Sequence, residues 1–229
     1  MAKFYKQYCP VAKSLDVIGD RWTLLIVRDL LRGKQRFKDL QASLSGIAPN
    51  LLSDRLKKLE EAGLIVRQMF RQLPPRVEYD LTDKGRSLET VLHSLAQFGM
   101  INMMDKPTRG EILDPGFIFD AMPAVFLPSA AHGVKATYRV DISGSQGGTW
   151  YVIISSKRCR VTTEDPTRVP DVWIKTDAKT WALLATGLIE PAVAESSGLL
   201  DVTGNRDLAE RFDRLFDKAV RSGQRAALP

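Results

Sequence analysis

Asn50, Ser53, Asp54, Arg55, Lys57 and Lys58 fall on one side of the stretch "NLLSDRLKKLEEAG", while Leu52, Leu56 and Leu59 fall on the other. Spacings of three and four residues put each set on its own face of an α-helix. The polar set can exchange hydrogen bonds with base edges, and its cations can meet phosphates. A few residues on, "GLIVRQMFRQLPPRVEYDLTDKG" opens with apolar residues, crosses a tip holding Arg71, Gln72, Pro74, Pro75 and Arg76, and returns through an alternating stretch. Such a tip packs poorly and suits contact with a polyanion. The chemistry these residues offer is recognition of a phosphate polymer, not the making of bonds.

Bond-making chemistry finds little support. His93 and His132 have no Cys, Asp or Glu neighbours at metal-ligand spacing, so no metal site is expected. There is no glycine-rich phosphate loop and no nucleophile elbow, and Glu60 and Glu61 read as helix surface. No enzyme activity and no cofactor are expected. Cys9 precedes Pro10 at a helix start, with Lys6 and Lys13 nearby; it reads either as an oxidant-sensing thiol or as a half-buried residue at a dimer seam. Cys159, in step with Val161 on a strand pattern, reads as core.

The elements that must position the polar face are legible in their order. Pro10 and Gly19 bracket a short first helix, and Asp20 can cap the next, "RWTLLIVRDLLRG", which is apolar almost all round. Phe37, Leu40 and Leu44 mark a third helix, and Gly46 and Pro49 punctuate the break before the amphipathic one. From Thr82 the chain is expected to be helical again, with Leu88, Val91, Leu92, Leu95 and Phe98 as an apolar stripe that continues towards Ile101 and is too wide for a small domain to cover alone. A partner subunit is the economical cover, which makes Leu88, Val91, Leu95 and Phe98 candidate dimer contacts.

"DKPTRGEILDPG", residues 105–116, reads as a linker between two domains, 1–110 and 111–229. Beyond it the period becomes two: Tyr138, Val140 and Ile142 alternate with Thr137, Arg139 and Asp141. "DAKTWALLATG" and "NRDLAERFDRLFDKAV" read as helices, the second with Leu208, Phe212, Leu215 and Val220 on one face. The second half is therefore α+β, a mostly antiparallel sheet with helices on one side. Charge divides with it: residues 1–106 hold 18 Lys/Arg against 12 Asp/Glu, and residues 107–229 hold 15 of each. The whole excess of +6 sits in the first half.

Short helix, break, longer helix and basic hairpin form the order of a winged helix-turn-helix. "CPVAKSLDVIGDRWTLLIVRDLLRG", "RFKDLQASLSGIAPNLLSDRLKKLEEAGLI" and "PPRVEYDLTDKG" together resemble the HxlR family of bacterial transcription regulators, from about Tyr8 to about Phe98. The resemblance implies a mainly α winged domain, homodimers built partly through terminal helices, and sequence-specific binding to double-stranded DNA. Carried over by position, it implies DNA contacts at Arg36, Pro49, Asn50, Ser53, Arg55, Lys58, Arg71 and Arg76. Two roles stay open: Asp54 either accepts from cytosine or pairs with Lys58, and Arg55 either reads a base or spans to Glu78 or to phosphate. The resemblance also implies that Cys9 matches a sensing cysteine of some members.

The second half resembles the sterol-carrier-protein domain through "VPDVWIKTDAKTWALLATG" and "SSGLLDVTGNRDLAERFDRLF". That implies a five-stranded sheet with helices over an apolar tunnel and a greasy small-molecule effector. Phe117, Trp150, Trp173, Trp181, Leu184 and Leu188 are the candidate lining, with ordinary core as the competing reading. The expected whole is a cytoplasmic, dimeric DNA-binding regulator with no membrane segment. The alternative is a lipid-binding or interaction protein that uses its winged helix only for dimerisation or protein contacts.

Overall fold

Leucines every third and fourth residue dictate the first unit. The computed structural model describes residues 4–33, 35–71, 76–144 and 146–217. The chain divides between Leu92 and His93 into two compact units. The first runs α1 (Pro10–Ile18), α2 (Thr23–Leu31), β1 (Gln35–Arg36), α3 (Phe37–Ser43), α4 (Pro49–Glu61), β2 (Ile65–Phe70), β3 (Arg76–Leu81) and α5 (Asp83–Arg86). Helix α6 (Glu89–Asn102) crosses the division. Ile26, Val27 and Leu30 of α2 are fully buried against Leu40, Leu52 and Leu59. Truncating any one of these to Ala would cost roughly 2–5 kcal/mol.

Three local expectations give way to other contacts. Asp20 does not cap α2; Trp22 holds that position in a left-handed conformation, φ 80°, with Arg21 over its ring at 5.2 Å. The Asp20 carboxylate is instead drawn towards cations of α4. The hairpin gains a third strand: β1 pairs with β3, giving the antiparallel order β1-β3-β2. The helical stretch expected from Thr82 comes as two helices, parted after Arg86, where the Ser87 hydroxyl donates to the Lys84 carbonyl at 2.7 Å and competes with the helical ladder.

The end of the hairpin is stitched to the end of α4. Thr82 Oγ1 accepts from the Gly85 N–H and donates to the Gly63 carbonyl at 2.7 Å, and Lys84 Nζ donates to the Ala62 carbonyl at 2.7 Å. Gly85 allows this approach, because a Cβ there would stand 2.0 Å from the Leu64 carbonyl oxygen.

In the second unit, α7 (Pro115–Val125) is followed by β4 (Lys135–Ser143), β5 (Gly148–Ser155), β6 (Arg158–Thr162) and β7 (Val172–Asp177). Then come α8 (Ala178–Ala185), α9 (Pro191–Ser196), β8 (Leu200–Gly204), α10 (Arg206–Phe212) and a 3-10 turn, Asp213–Leu215. The sheet order is β6-β5-β4-β7-β8, antiparallel except for the parallel β4–β7 pair. Helix α7 claims Pro115 and Gly116 from the expected linker, with the Asp114 carboxylate accepting from the Gly116 N–H. The closing helix is shorter than its pattern. After Phe212 the chain is pinned to the end of α7 by Leu127 N–H to the Leu215 carbonyl (2.8 Å) and Asp217 N–H to the Val125 carbonyl (2.7 Å). Val220 lies outside the described residues.

Phe119 is sandwiched between Trp150 and Trp181, at ring distances of 4.6 and 4.8 Å. Tyr138, fully buried on β4, packs against Phe212 at 4.5 Å and donates its hydroxyl to the Leu208 carbonyl at 3.1 Å. Burial pushes this phenol up to about 12 from 10.0, with Arg211 opposing and Asp171 adding. The folded state therefore holds the proton where the unfolded chain has lost it. The stabilisation is complete below pH 10 and disappears as pH rises through 12. Tyr138→Phe should flatten the alkaline limb of stability over that window, measured by urea denaturation followed through tryptophan fluorescence; an unchanged limb would refute the assignment.

Candidate nucleic-acid interface and apolar cavity

Which side of α4 meets solvent is decided by its seam. Leu52, Leu56 and Leu59 are buried, so Pro49, Asn50, Ser53 and Lys57 stand exposed on the opposite side. Pro49 occupies the first turn, where its missing N–H costs nothing. Lys57 sits 3.8 Å from Glu61.

The cations expected beside them are more constrained. Arg55 does not reach Glu78. Its Nη1 lies 2.7 Å from Asp54 and 3.0 Å from Asp20, its Nε donates to the Arg21 carbonyl at 3.4 Å, and its side chain is only 14% exposed. A base-reading role would first have to break this bracing. Lys58 pairs with Asp54 at 3.3 Å, as the four-residue spacing allows, and with Asp20 at 3.4 Å. Arg36 caps α3, its N–H donating to the Asp39 carboxylate, and its half-exposed guanidinium approaches Glu78 at 4.0 Å.

On the hairpin, Arg76 Nε lies 3.1 Å from Glu78, an ion pair whose angle falls short of a hydrogen bond. Its guanidinium covers the ring of Phe70, its cross-strand partner, at 4.7 Å. Arg76 is thus held at the loop end of the two strands, where they meet the tip. Arg71 is exposed, whereas Gln72, Pro74 and Pro75 lie outside the described residues.

The expected apolar stripe splits into two faces. Leu88 and Leu92 are partly buried and pack on the core of the first unit. Val91, Leu95 and Phe98, spaced four and three apart, are 40, 47 and 54% exposed. Cys9 is half-buried at the N-cap of α1. Cys159 packs against the second core, and burial raises its thiol to about 12. Among the described residues no cluster of His, Cys, Asp or Glu could hold a metal, and no helix is long and apolar enough to cross a membrane.

The second unit contains a cavity of about 380 Å³. Trp181 and Leu184 line it, as expected. Phe117, Trp150 and Trp173 do not: Trp150 is spent on Phe119, and Phe117 and Trp173 are half-buried outside the cavity. Leu188 also stands apart, because α8 ends at Ala185. The remaining apolar wall includes Met100, Met122, Ile174, Val202, Phe212 and Phe216. The sequence pattern places Phe212 on a helical stripe and does not single out Phe216, because the turn that brings them together has no signal in periodicity.

Comparison with known proteins gives two separate family matches along the chain. A profile described as HxlR-like helix-turn-helix matches residues 17–107. The uncharacterized HTH-type transcriptional regulator YvaP of Bacillus subtilis is 36% identical over 113 residues, 49% of this chain and 95% of that protein. The chain belongs to the HxlR-like helix-turn-helix family. A second relative, the uncharacterized HTH-type transcriptional regulator YtcD of the same organism, is 39% identical over 39% of this chain and 71% of its own length. The solved reduced form of the transcriptional regulator YodB from B. subtilis is 33% identical, with a TM-score of 0.37 over 41% of this chain and 93% of that one. Beyond the HxlR-like region, residues 126–217 match the SCP-2 sterol transfer family.

Arg55 ties the exposed helix of this HxlR-like unit to the turn before α2. Both carboxylates of the network are about half-exposed. Its contribution is therefore that of a surface network, about 1 kcal/mol, and not that of a buried pair. Arg55→Ala should lower the unfolding free energy of the first unit by that amount, seen as a fall in its urea midpoint at unchanged m-value; no shift would deny the residue a structural role.

Proposed function

We propose that this HxlR-like transcription regulator binds double-stranded operator DNA in the cytoplasm as a homodimer, with domains meeting near residue 110. A small apolar molecule in the second unit modulates that binding. The observation that carries the reading is the pairing of a buried leucine seam with an exposed Pro49, Asn50 and Ser53 face beside an arginine-bearing hairpin. A helix presented this way enters a major groove about 12 Å wide with its first turns towards the bases. Asn50 and Ser53 take base readout; Arg36, Lys58 and Arg71 take phosphate.

The exposed Val91, Leu95 and Phe98 face, with the half-buried Leu88 at its edge, is the proposed seam between copies. Two copies would hold half-sites about 34 Å apart, so small rotations change affinity. An effector can shift that affinity only by its own preference between the two dimer geometries, typically about 1–3 kcal/mol. The signal enters through the cavity.

Anisotropy titrations at several salt concentrations test the DNA contacts. Asn50→Ala should lose about 1–3 kcal/mol on the preferred operator and relax base preference. Arg71→Ala should weaken all sequences alike and lower the salt slope by about one. A salt-independent signal, or no binding to any duplex, would leave the winged helix as a protein-binding module.

Leu95→Glu places a charge where a seam would have to desolvate it. Sedimentation should then show a folded monomer with operator binding lost. A dimer that survives this substitution would move the interface elsewhere.

A further inference from the structure

From His93 onward α6 belongs to the second unit, and it carries two apolar sets there. Leu95, Phe98 and Ile101 are exposed, whereas Met100 is buried, packs in the second core and lines the cavity. Among the described lining residues, Met100 is the one from α6. An α-helix turns about 100° per residue, so Phe98 and Met100 point about 160° apart, and Leu95 and Met100 about 140° apart. The last turns of α6 are therefore a wall one helix thick, with the cavity on one side and the proposed seam on the other.

Such a wall joins two events through its own order. A molecule seated in the cavity has Met100 among its contacts, and an unbranched methionine adapts its shape to whatever lies against it. That contact immobilises the side chain and the turn that carries it. Association of two copies needs the same turn fixed, because Leu95 and Phe98 must hold one arrangement to be buried, which is an entropic cost of binding. A ligand that has already ordered the turn removes part of that cost, so the two events favour each other. By linkage, association then raises the ligand's affinity by the same factor.

We infer that α6 couples the cavity to the seam through Met100, so that an apolar molecule in the cavity tightens the homodimer. This rests on the proposed apolar effector and homodimer, and names the route and the sign of the regulation. Tighter pairing delivers two DNA-binding helices together, so such a molecule raises operator affinity wherever the copies are partly dissociated.

The test is sedimentation of the whole chain with and without saturating N-phenyl-1-naphthylamine, whose fluorescence reports its binding. The dimer dissociation constant should fall about fivefold, at the low end of usual couplings between sites. Two truncations separate coupling from mere filling of the cavity. Met100→Ala should still bind the probe, yet show the same dimer constant with and without it. Met122→Ala removes an equally buried methionine from the α7 wall and should keep the effect. A dimer constant unmoved or raised by the probe in the native protein would overturn the inference with no variant needed. So would coupling that survives in Met100→Ala or is lost equally in Met122→Ala. In each of these cases the apolar-effector reading stands, because a dimer that binds the probe has been seen. Failure of the probe to bind, or a protein monomeric at every concentration, would remove that reading and the inference with it.

Discussion

The rotation of α4 about its own axis is the constraint on which the first unit depends. Leu52, Leu56 and Leu59 can be buried against α2 in one orientation only, and that orientation decides which residues are left facing water. Turning the helix by one residue would bury Ser53 and expose Leu52. The face carrying Pro49, Asn50 and Ser53 is thus a by-product of apolar burial, which outweighs every surface ion pair nearby. The bracing of Arg55 and Lys58 by Asp20 adds a small term that opposes rolling of the helix.

Much of this was readable from the chain, and what was not has physical causes. Periodicity located α4, the Asp177-capped α8 and the alternation on β4, because each follows from one residue's neighbours along the sequence. It failed where a long-range contact competed with a local one. Asp20 is a good cap by type, but it bonds to residues of α4 some 35 positions away. Strand β1 is two residues long and exists only because β3 has an open edge. The stripe from Leu88 to Phe98 looked continuous because the pattern cannot say that Leu88 and Leu92 turn inwards while Val91, Leu95 and Phe98 do not.

The cavity shows the same limit more sharply. Residue type identified aromatic candidates, but aromatics also build ordinary core. Here the stack of Trp150, Phe119 and Trp181 serves both purposes: two of its rings fill space, and the third borders the cavity. The rest of the wall is drawn from several helices, the sheet and the segment after Phe212, whose approach depends on two backbone hydrogen bonds to the end of α7. No local pattern encodes that closure.

Thr82, Lys84 and Gly85 join the hairpin to the last turn of α4 through backbone carbonyls, with no room for a side chain at Gly85. A joint of that kind leaves the helix and the hairpin little freedom to adjust separately. Whatever surface they meet must supply the adjustment. For a duplex this transfers the cost to the nucleic acid, whose bending and groove width depend on base steps that no side chain touches. Flexible pyrimidine–purine steps would yield cheaply and stiff A-tracts would resist, so the stiffness of one glycine-centred joint becomes a preference among DNA sequences.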